Sequence, residues 1–480
     1  MAHHDVALVL LRRALRLADN PALADALAHA STVVPVYVHD PASAAAGAPG
    51  AASRAWLARS LAAFDSSLHE RGSGLVVRAG GTVEALATLA AECGATAVYF
   101  DERFEPDAVA ADAATRMALE AVGIETHTAD CALLRDPDGP RTESGGPYRV
   151  FTPYFDACRR LGSPGAPLPA PGRIPSPRSL PPGLDPVVVA EGASEPPELA
   201  RYFTPGEAGA LAAAERFYAE AVTDYPTERD RPGIFGTSRL SPHLAFGEIS
   251  PRRLLADAEA LIACDGTCPG ATGAREFVRQ LHWREFAYHT LHHAPHSVQD
   301  PLRPEFAGMP WIADPDGVHA WQEGRTGFPL VDAGMRELIA TGWMHNRVRM
   351  VVASFLTKDL LIPWQTGERY FRECLADADV ANNVFGWQWV AGSGADAAPY
   401  FRVFNPVSQG VRFDPAGDYV RTWVPELAAL PDRFIHRPWE APEAVLAEAG
   451  VVLGQTYPLP IVDHAEARRR ALAAYASIRG

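Results

Sequence analysis

The sequence predicts a two-domain protein in which an α/β domain is followed by an all-helical domain. At 480 residues the chain exceeds what a single hydrophobic core usually organises. Short β-branched runs alternate with amphipathic segments in the first part, whereas helical periodicity dominates after a proline-rich stretch. The tryptophans follow the same division, because Trp56 stands alone in the first half and the other nine lie between Trp283 and Trp439.

The first domain, which we assign to residues 1–130, is expected to be a Rossmann-like, doubly wound parallel sheet. Its predicted strands are DVALVLL, TVVPVYVHD, GLVVRAG and TAVYFD. Amphipathic segments such as RAWLARSLAAFDSSLHERG predict helices between the strands, on both faces of the sheet. The phosphate-binding patterns GxGxxG and GxxxxGK[ST] do not occur there, so a nucleotide at the strand ends would need other contacts.

Residues 131–200 predict an interdomain linker, and residues 201–480 a helical domain. The sequence from Gly162 to Glu198 is rich in proline, which disfavours helix interiors and central strands. The clearest helical periodicity is found in EAGALAAAERFYAEAV, REFVRQLHWREFAYHTLHH, VDAGMRELIATG and HNRVRMVVASFLTKDLL.

Charge and cysteine content restrict the possible partners and compartment. A net charge of -15 argues against general attraction to nucleic acid, although it leaves room for a local basic groove. Six scattered cysteines without a paired metal motif indicate reduced thiols and a cytoplasmic protein. The apolar run near the start is too short to span a membrane, and arginines follow it where a secretion signal would have them precede it.

Two predicted helices carry polar stripes where a core-facing helix would be apolar. The stripes comprise Gln280, Trp283, Arg284 and Ala287 in one helix and Asn346, Arg349, Met350 and Ala353 in the other. Each stripe alone is more typical of a solvated face. Together, with Trp and Met among them, they favour a cavity that is partly apolar and partly hydrogen bonding.

Two further motifs fit a ligand pocket, and both also have simple structural explanations. In FGTSRLSPHLAFGEIS, the hydroxyls of Thr237, Ser238 and Ser241 either hold phosphate oxygens or cap a helix. In DADVANNVFGWQW, Asp377 and Asp379 offer carboxylates beside Asn383 and two tryptophans. Helix caps, turns and core packing would account for the same residues.

At these motifs the sequence resembles the DNA photolyase and cryptochrome family, most closely bacterial class I cyclobutane pyrimidine dimer photolyases. The resemblance covers about half of the chain, and its landmarks come in the family's order. They are Tyr225, GTSRLS, WREF, WQEGRTGFPLVDAGMRELIATGWMHNRVRM, DADVANNVFGWQW, DAAPYFRVFNP and YPLPIVDH. The N-terminal half matches more loosely, through RRALRLADNPAL.

The resemblance implies an FAD site in the helical domain. Its implied cofactor contacts are Tyr225, Thr237, Ser238, Ser241, Arg284, Arg349, Asp377, Asp379 and Asn383. In this pattern Arg349 pairs with Asp377 beside the flavin ring, and Asn383 lies next to flavin N5. A carboxamide at N5 can hydrogen bond without supplying an acidic proton, which favours the reduced flavin of a repair enzyme.

The resemblance also implies an electron-transfer chain and a lesion site. Trp387, Trp364 and Trp311 correspond to the tryptophans that carry electrons to the flavin, from proximal to distal. The implied contacts to UV-damaged DNA, single- or double-stranded, are Gln280, Trp283, Asn346, Met350, Trp389, Arg229, Arg347 and Arg402. On this basis we expect a monomer that repairs cyclobutane pyrimidine dimers by light-driven electron transfer.

Two positions leave alternatives open. Glutamine at position 280 departs from the glutamate usual in these photolyases, which makes a cryptochrome-type photoreceptor with weak repair the rival hypothesis. Ala108 stands where folate-binding relatives tend to carry glutamate, which slightly favours a deazaflavin over a folate as second, light-harvesting chromophore.

Overall fold

The computed structural model describes residues 3–40, 49–264, 269–396 and 401–479, and it contains both predicted fold types. The N-terminal elements are β1 (His4–Leu10), α1 (Pro21–His29), β2 (Ala30–His39), α2 (Ala51–Glu70), β3 (Val76–Ala79), α3 (Thr82–Cys93), β4 (Ala97–Asp101), α4 (Pro106–Ala121) and β5 (Glu125–Ala129). The four predicted strands are therefore confirmed, with small shifts at their ends.

The five strands form one parallel sheet in the order β3-β2-β1-β4-β5. Ala7 of β1 lies opposite Val33 of β2 and Ala97 of β4, which fixes the register of the central strands. The strand order reverses between β1 and β4, and such a reversal opens a crevice at the carboxyl ends of the two strands. This edge of the sheet is where a ligand is expected.

Both faces of the sheet are buried, as the apolar strands predict. Successive side chains of β1 alternate between the faces, so Val9 packs in a cluster with Trp56 of α2 and Leu8 packs in a second cluster with Leu89 of α3. The edge strand β5 was not predicted. Its sequence ETHTA has no large apolar residue, which fits its position at the edge of the sheet, where its side chains are exposed or half-buried.

Apart from the short 3-10 helix Pro186–Ala190, the proline-rich segment contains no helix or strand, and it packs against the N-terminal domain. Ile174 is fully buried and its N–H donates to the carbonyl of Arg71 at 2.9 Å. The N–H of Leu184 donates to the carbonyl of Val77 at the same distance. The predicted linker also contains helix α5 (Phe151–Arg160), so only part of it is irregular. Its proposed bounds stay a prediction.

The second domain is built from helices. They are α6 (Leu199–Tyr202), α7 (Glu207–Arg216), α8 (Tyr225–Glu228), α9 (Ser241–Ala245), α10 (Pro251–Ala263), α11 (Ala271–His293), α12 (Pro315–Gln322), α13 (Pro329–Thr341), α14 (Asn346–Ser354), α15 (Trp364–Cys374), α16 (Val380–Ala391), α17 (Pro406–Phe413), α18 (Asp418–Trp423), α19 (Asp432–Ile435), α20 (Glu443–Glu448) and α21 (His464–Ser477). The four segments with helical periodicity form α7, α11, α13 and α14, which confirms the helical assignment.

A close backbone contact joins the two domains. Gly247 has a φ of 64°, and a Cβ at this position would lie 1.8 Å from the carbonyl oxygen of Arg13. Arg16 Nη1 donates to the carbonyl of Gly247 at 2.8 Å, and Trp56 Nε1 donates to Glu248 Oε1 at 2.9 Å. The loop after β1 and helix α2 are thereby fixed to the helical domain.

None of the helices in the described parts of the chain has the length and apolarity needed to cross a membrane. Cys93, Cys131, Cys158 and Cys374 are free thiols, and Cys268 lies outside the described residues.

Replacing Gly247 by alanine should destabilise the protein by clearly more than replacing Gly123. Gly123 also has a positive φ, of 83°, but nothing lies within 4 Å of an added Cβ. Gly123→Ala therefore reports the backbone strain alone, about 1–2 kcal/mol, whereas Gly247→Ala adds the clash with Arg13. Chemical denaturation of both variants measures the difference. Equal losses would show that the domains do not depend on this contact.

Candidate functional site

Helix α16 begins at a buried carboxylate that several parts of the chain approach. Asp379 caps the helix by accepting a hydrogen bond from the N–H of Asn382 at 2.8 Å. Tyr288 of α11 donates its hydroxyl to the other carboxylate oxygen. Burial opposes the charge of Asp379, but the positive charges of Arg13 and Arg284 outweigh burial and hold its pKa below the usual range. The carboxylate is therefore ionised.

A cavity of about 690 Å³ opens between the carboxyl ends of the strands and the helices α15 and α16, a volume typical of small-molecule sites. Its lining includes Leu10, Arg12, Arg13, His39, Asp40, Phe246, Glu368, Arg372, Asp379 and Asn383. Seven of the predicted cofactor ligands lie outside this lining, namely Tyr225, Thr237, Ser238, Ser241, Arg284, Arg349 and Asp377. The structure thus brings only Asp379 and Asn383 together at this cavity.

The amide of Asn383 is held in one orientation. Its Nδ2 donates to the backbone carbonyl and to Oε1 of Glu368, at 3.1 and 3.0 Å. Glu368 is itself fixed by Arg372, whose Nη2 donates to Oε2 at 2.5 Å and whose Nε donates to Oε1 at 3.1 Å. Because the amide nitrogen must face these acceptors, the amide oxygen is left to accept a hydrogen bond from a ligand.

The predicted ion pair between Arg349 and Asp377 is present. Arg349 Nη2 lies 2.7 Å from Asp377 Oδ2, and Arg349 Nε donates to the carbonyl of Met344 at 2.8 Å. Asp377 is 6% exposed, and its second oxygen, Oδ1, is buried without a hydrogen-bond partner. A buried acceptor without a donor is unfavourable, so this atom indicates a missing ligand donor.

The loop that carries the three predicted phosphate-binding hydroxyls also holds a half-buried arginine. Arg239 has a φ of 52°, and its guanidinium lies over the rings of Phe235 and Trp343, 4.2 and 4.8 Å from their centroids. Burial lowers its pKa, and its Nε has no hydrogen-bond partner. Ser241 accepts a hydrogen bond from Trp343 Nε1 at 3.0 Å. An anion beside Arg239 would stabilise its charge.

Helix α11 places two of its predicted residues against the segment that the sequence assigns to the linker. Trp283 stacks on Phe151 of α5, with ring centroids 3.7 Å apart and planes 7° from parallel. Arg284 Nη1 donates to the carbonyl of Ala132 at 2.8 Å, which draws this guanidinium towards the interdomain segment. Gln280 is half-buried.

Tyr225 and Arg229 lie at the short helix α8. Tyr225 packs in an apolar cluster with Phe217 and Phe277, and burial raises the pKa of its hydroxyl to about 12. Arg229 lies over the Tyr225 ring, 5.5 Å from its centroid, and 3.7 Å from a carboxylate oxygen of Glu276. The predicted phosphate contact therefore has an acidic neighbour.

The predicted lesion contacts of α14 differ in exposure. Asn346 is exposed and Met350 is half-buried against the main core of the helical domain. Arg347 forms an ion pair with Asp230 at 2.8 Å. Arg402 is exposed. Like Arg229, Arg347 thus lies beside an acidic side chain of its own chain.

The start of α14 depends on two buried groups that favour their neutral forms. Glu337 accepts hydrogen bonds from the Tyr419 hydroxyl at 2.6 Å and the N–H of His345 at 3.3 Å, and burial raises its pKa to about 7. Burial lowers the pKa of His345 to about 3. The neutral His345 caps the helix by accepting from the N–H of Arg347 at 3.2 Å.

The predicted electron-transfer tryptophans run from the core towards the surface. Trp387 and Trp364 are each 2% exposed and belong to the main core of the helical domain. Trp311 is half-buried in a separate cluster. Trp389 is also half-buried, and its Nε1 donates to the carbonyl of Asp396 at 3.1 Å.

Sequence reasoning missed four residues that shape this site: Gly367, Glu368, Arg372 and Arg239. A Cβ at Gly367 would lie 2.1 Å from Cη2 of Trp387, so the ring packs directly on the α15 backbone. A glycine inside a helix and an i,i+4 Glu–Arg pair were available signals. Nothing in the sequence indicated their partners on α16.

The chain matches the family described as FAD binding domain of DNA photolyase over residues 277–477, and the family described as DNA photolyase over residues 7–172. It is 44% identical to a deoxyribodipyrimidine photo-lyase of Agrobacterium fabrum, over 98% of each chain. Cryptochrome-1 of Arabidopsis thaliana is 38% identical, over 96% of this chain and 69% of the plant protein. The crystal structure of a bacterial class III photolyase from Agrobacterium tumefaciens is 43% identical and superposes with a TM-score of 0.93, over 100% of this chain and 98% of that one.

The substitution Glu337→Gln should reduce the fall in stability that accompanies rising pH. Because burial raises this pKa to about 7, the folded chain binds the proton more tightly than the unfolded chain. The contribution of Glu337 to the free energy of unfolding is therefore fully present below about pH 4.5. It falls by at most about 3 kcal/mol as the pH rises to about 7. Denaturation curves at several pH values test this, with the exposed Glu466→Gln as the control. Equal slopes in wild type and Glu337→Gln would contradict it.

Proposed function

The chain belongs to the DNA photolyase and cryptochrome family, and from that membership we propose that it repairs cyclobutane pyrimidine dimers in UV-damaged DNA with blue light. The observation that carries the proposal is the 44% identity to a deoxyribodipyrimidine photo-lyase over nearly the full length of both chains. The full-length match to a structure described as a class III photolyase favours that class over the expected class I.

The residues of the helical domain fit FAD. Two buried polar atoms lack partners, Asp377 Oδ1 and Arg239 Nε, and they lie in two of the motifs predicted to hold the cofactor. Asp377 would accept from a donor group of the flavin, and Arg239 would neutralise a phosphate beside Ser241. We propose that the other predicted ligands complete this site. Reduced FAD, when bound, supplies the electron that light drives onto the dimer.

Asn383 would keep the flavin in the form that repair requires. Glu368 and Arg372 orient its amide so that the amide oxygen can accept a hydrogen bond from the cofactor. An amide has no acidic proton to release, whereas an aspartate in its place could protonate the flavin. The fixed amide therefore supports electron donation to a substrate over storage of a protonated flavin.

On the substrate side, the chain would bind a dimer that has left the base stack. A dimer stacks and pairs poorly, so flipping it out requires less free energy than flipping a normal base. Trp283 and Trp389 would form aromatic walls, with Trp283 held by its stacking on Phe151. Asn346, Met350 and Gln280 would contact the bases.

Arg229, Arg347 and Arg402 would contact the phosphates around the lesion. Glu276 and Asp230 lie beside the first two arginines, so phosphate contact there would replace an existing ion pair. Salt bridges of this half-exposed kind contribute little stability, and the exchange is favourable when several phosphates bind together.

We propose a second chromophore in the cavity between the domains. Its walls include Arg12 and Arg13, whose positive charges would attract an anionic ring system. They also include Ala108, which offers no carboxylate to a folate. Asn383 lines the same cavity from α16, so we assign the side of the cavity nearest α16 to the flavin and the side formed by the α/β domain to the second chromophore. The slight preference for a deazaflavin over a folate stays a prediction, which the absorption spectrum of the extracted chromophore tests.

The purified, reduced protein should repair a thymine dimer in a single-stranded oligonucleotide under blue light and not in the dark. Gln280→Glu should change the repair rate by less than about tenfold, because both side chains can hydrogen bond to the bases. Asn383→Asp should lower the rate, because it can protonate the flavin. Chromatography of the products measures the rate. A wild type that binds the dimer but repairs nothing, while Gln280→Glu does repair, would support the photoreceptor hypothesis that Gln280 favours.

Gly367→Ala should slow light-driven reduction of the flavin by displacing Trp387. Gly386→Ala is the matched control, because it lies on α16 near the same ring and nothing lies within 4 Å of its added Cβ. Repair by protein reduced chemically beforehand should fall much less, since the tryptophans serve only to reduce the flavin. Absorption spectra during illumination follow the reduction. If Gly367→Ala reduces as fast as Gly386→Ala, Trp387 does not deliver the electron.

A further inference from the structure

Three potential metal ligands meet at the end of the sheet that is remote from the cavity. His4 opens β1, and Glu125 and His127 lie at the start of the edge strand β5. In a parallel sheet the amino ends of all strands share one edge, whereas the cavity lies at the carboxyl ends. This cluster therefore has no part in the proposed flavin and DNA chemistry.

The distances fit one small ion. Glu125 Oε2 lies 3.6 Å from His4 Nε2 and 3.5 Å from His127 Nε2, and the three ligand atoms lie within 4.8 Å of one another. In tetrahedral zinc sites, bond lengths of about 2.0–2.2 Å separate neighbouring ligands by roughly 3.4 Å. Two of the three separations already match that value, and a small side-chain rotation would close the third.

His4 is buried and His127 is half-buried, and both imidazoles are oriented and unsatisfied. His4 is 5% exposed, and its Nε2 has no hydrogen-bond partner, as is also true of Nε2 of His127. Thr96 Oγ1 lies 2.9 Å from His4 Nδ1, which leaves Nε2 to face Glu125. The His127 ring stacks on Tyr99, with centroids 4.6 Å apart. Such outer contacts commonly orient metal-binding histidines.

We propose that His4, Glu125 and His127 bind a divalent transition-metal ion of the Zn²⁺ type. Two imidazoles and one carboxylate suit zinc and its neighbours in the first transition row, and suit Mg²⁺ and Ca²⁺ poorly. Glu125 is 53% exposed, which leaves room for water as a fourth ligand. The ion would tie the edge strand β5 to β1 across β4 and would therefore stabilise the amino edge of the sheet.

A second cluster, at Asp138, His292 and His293, provides a comparison. Its carboxylate already forms a salt bridge with Arg141, and none of its three side chains is as buried as His4. A guanidinium bound to the carboxylate competes with any cation, so this cluster should bind a metal ion more weakly. It serves as the control site.

The test uses the full-length protein, free of any histidine tag and stripped with a chelator, titrated with Co²⁺ and Zn²⁺. Wild type should bind one ion tightly, show the visible Co²⁺ absorption of a low-coordinate site, and unfold at a higher temperature with Zn²⁺ than with chelator. His127→Ala and Glu125→Gln should each weaken binding by more than about 100-fold, and Thr96→Val, which removes only an outer contact, by about tenfold. His292→Ala should bind as wild type does.

Circular dichroism of the metal-free proteins shows which variants fold. If the ligand variants do not fold, Thr96→Val still tests the site, because it keeps all three ligands. A wild type that binds neither ion overturns the proposal. Tight binding that survives in folded His127→Ala and Glu125→Gln overturns it too, as does binding that is lost in His292→Ala instead. Each result is independent of DNA repair, since no readout depends on photoreduction, on flavin chemistry or on a DNA substrate.

Discussion

The charge of one buried carboxylate, Asp379, is the constraint on which the arrangement of the site depends. It caps α16, accepts a hydrogen bond from Tyr288 of α11, and is kept ionised by Arg13 and Arg284. Arg13 comes from the loop after β1, so the same charge that starts a helix in one domain also attracts the other domain. Because an unpaired buried carboxylate would be very unfavourable, all three positive and hydrogen-bonding groups must stay in place.

From Asp379 onward, successive turns of α16 carry the side chains of the candidate site. One turn after Asp379 comes Asn383, whose amide is oriented by Glu368 and Arg372 of α15. One turn further is Trp387, whose ring lies against Gly367 of α15. Contacts with α15 therefore fix the orientation of the Asn383 amide and the position of the Trp387 ring, which the proposed flavin chemistry uses.

The two domains share the site unequally. The helical domain carries the predicted flavin and lesion contacts, whereas the α/β domain contributes charge and the cavity wall through Arg12, Arg13 and Ala108. The close approach of Gly247 to Arg13 holds these surfaces together. At the far edge of the sheet, His4 and His127 form a separate polar cluster, so the α/β domain has candidate ligand-binding residues at both ends of its strands.

The sequence by itself determined the fold class, because continuous β-branched runs and period-3.6 apolar patterns report local burial directly, and the dense motifs around Asn383 identified the family. It could not predict β5, whose polar residues carry no strand pattern at a sheet edge, nor the helix inside the proline-rich linker. Only the tertiary structure decided that Phe151 stacks on Trp283, that Glu368 orients Asn383, and that His4 meets Glu125. These contacts join residues far apart in the chain, and their geometry depends on packing between elements, which no local pattern encodes.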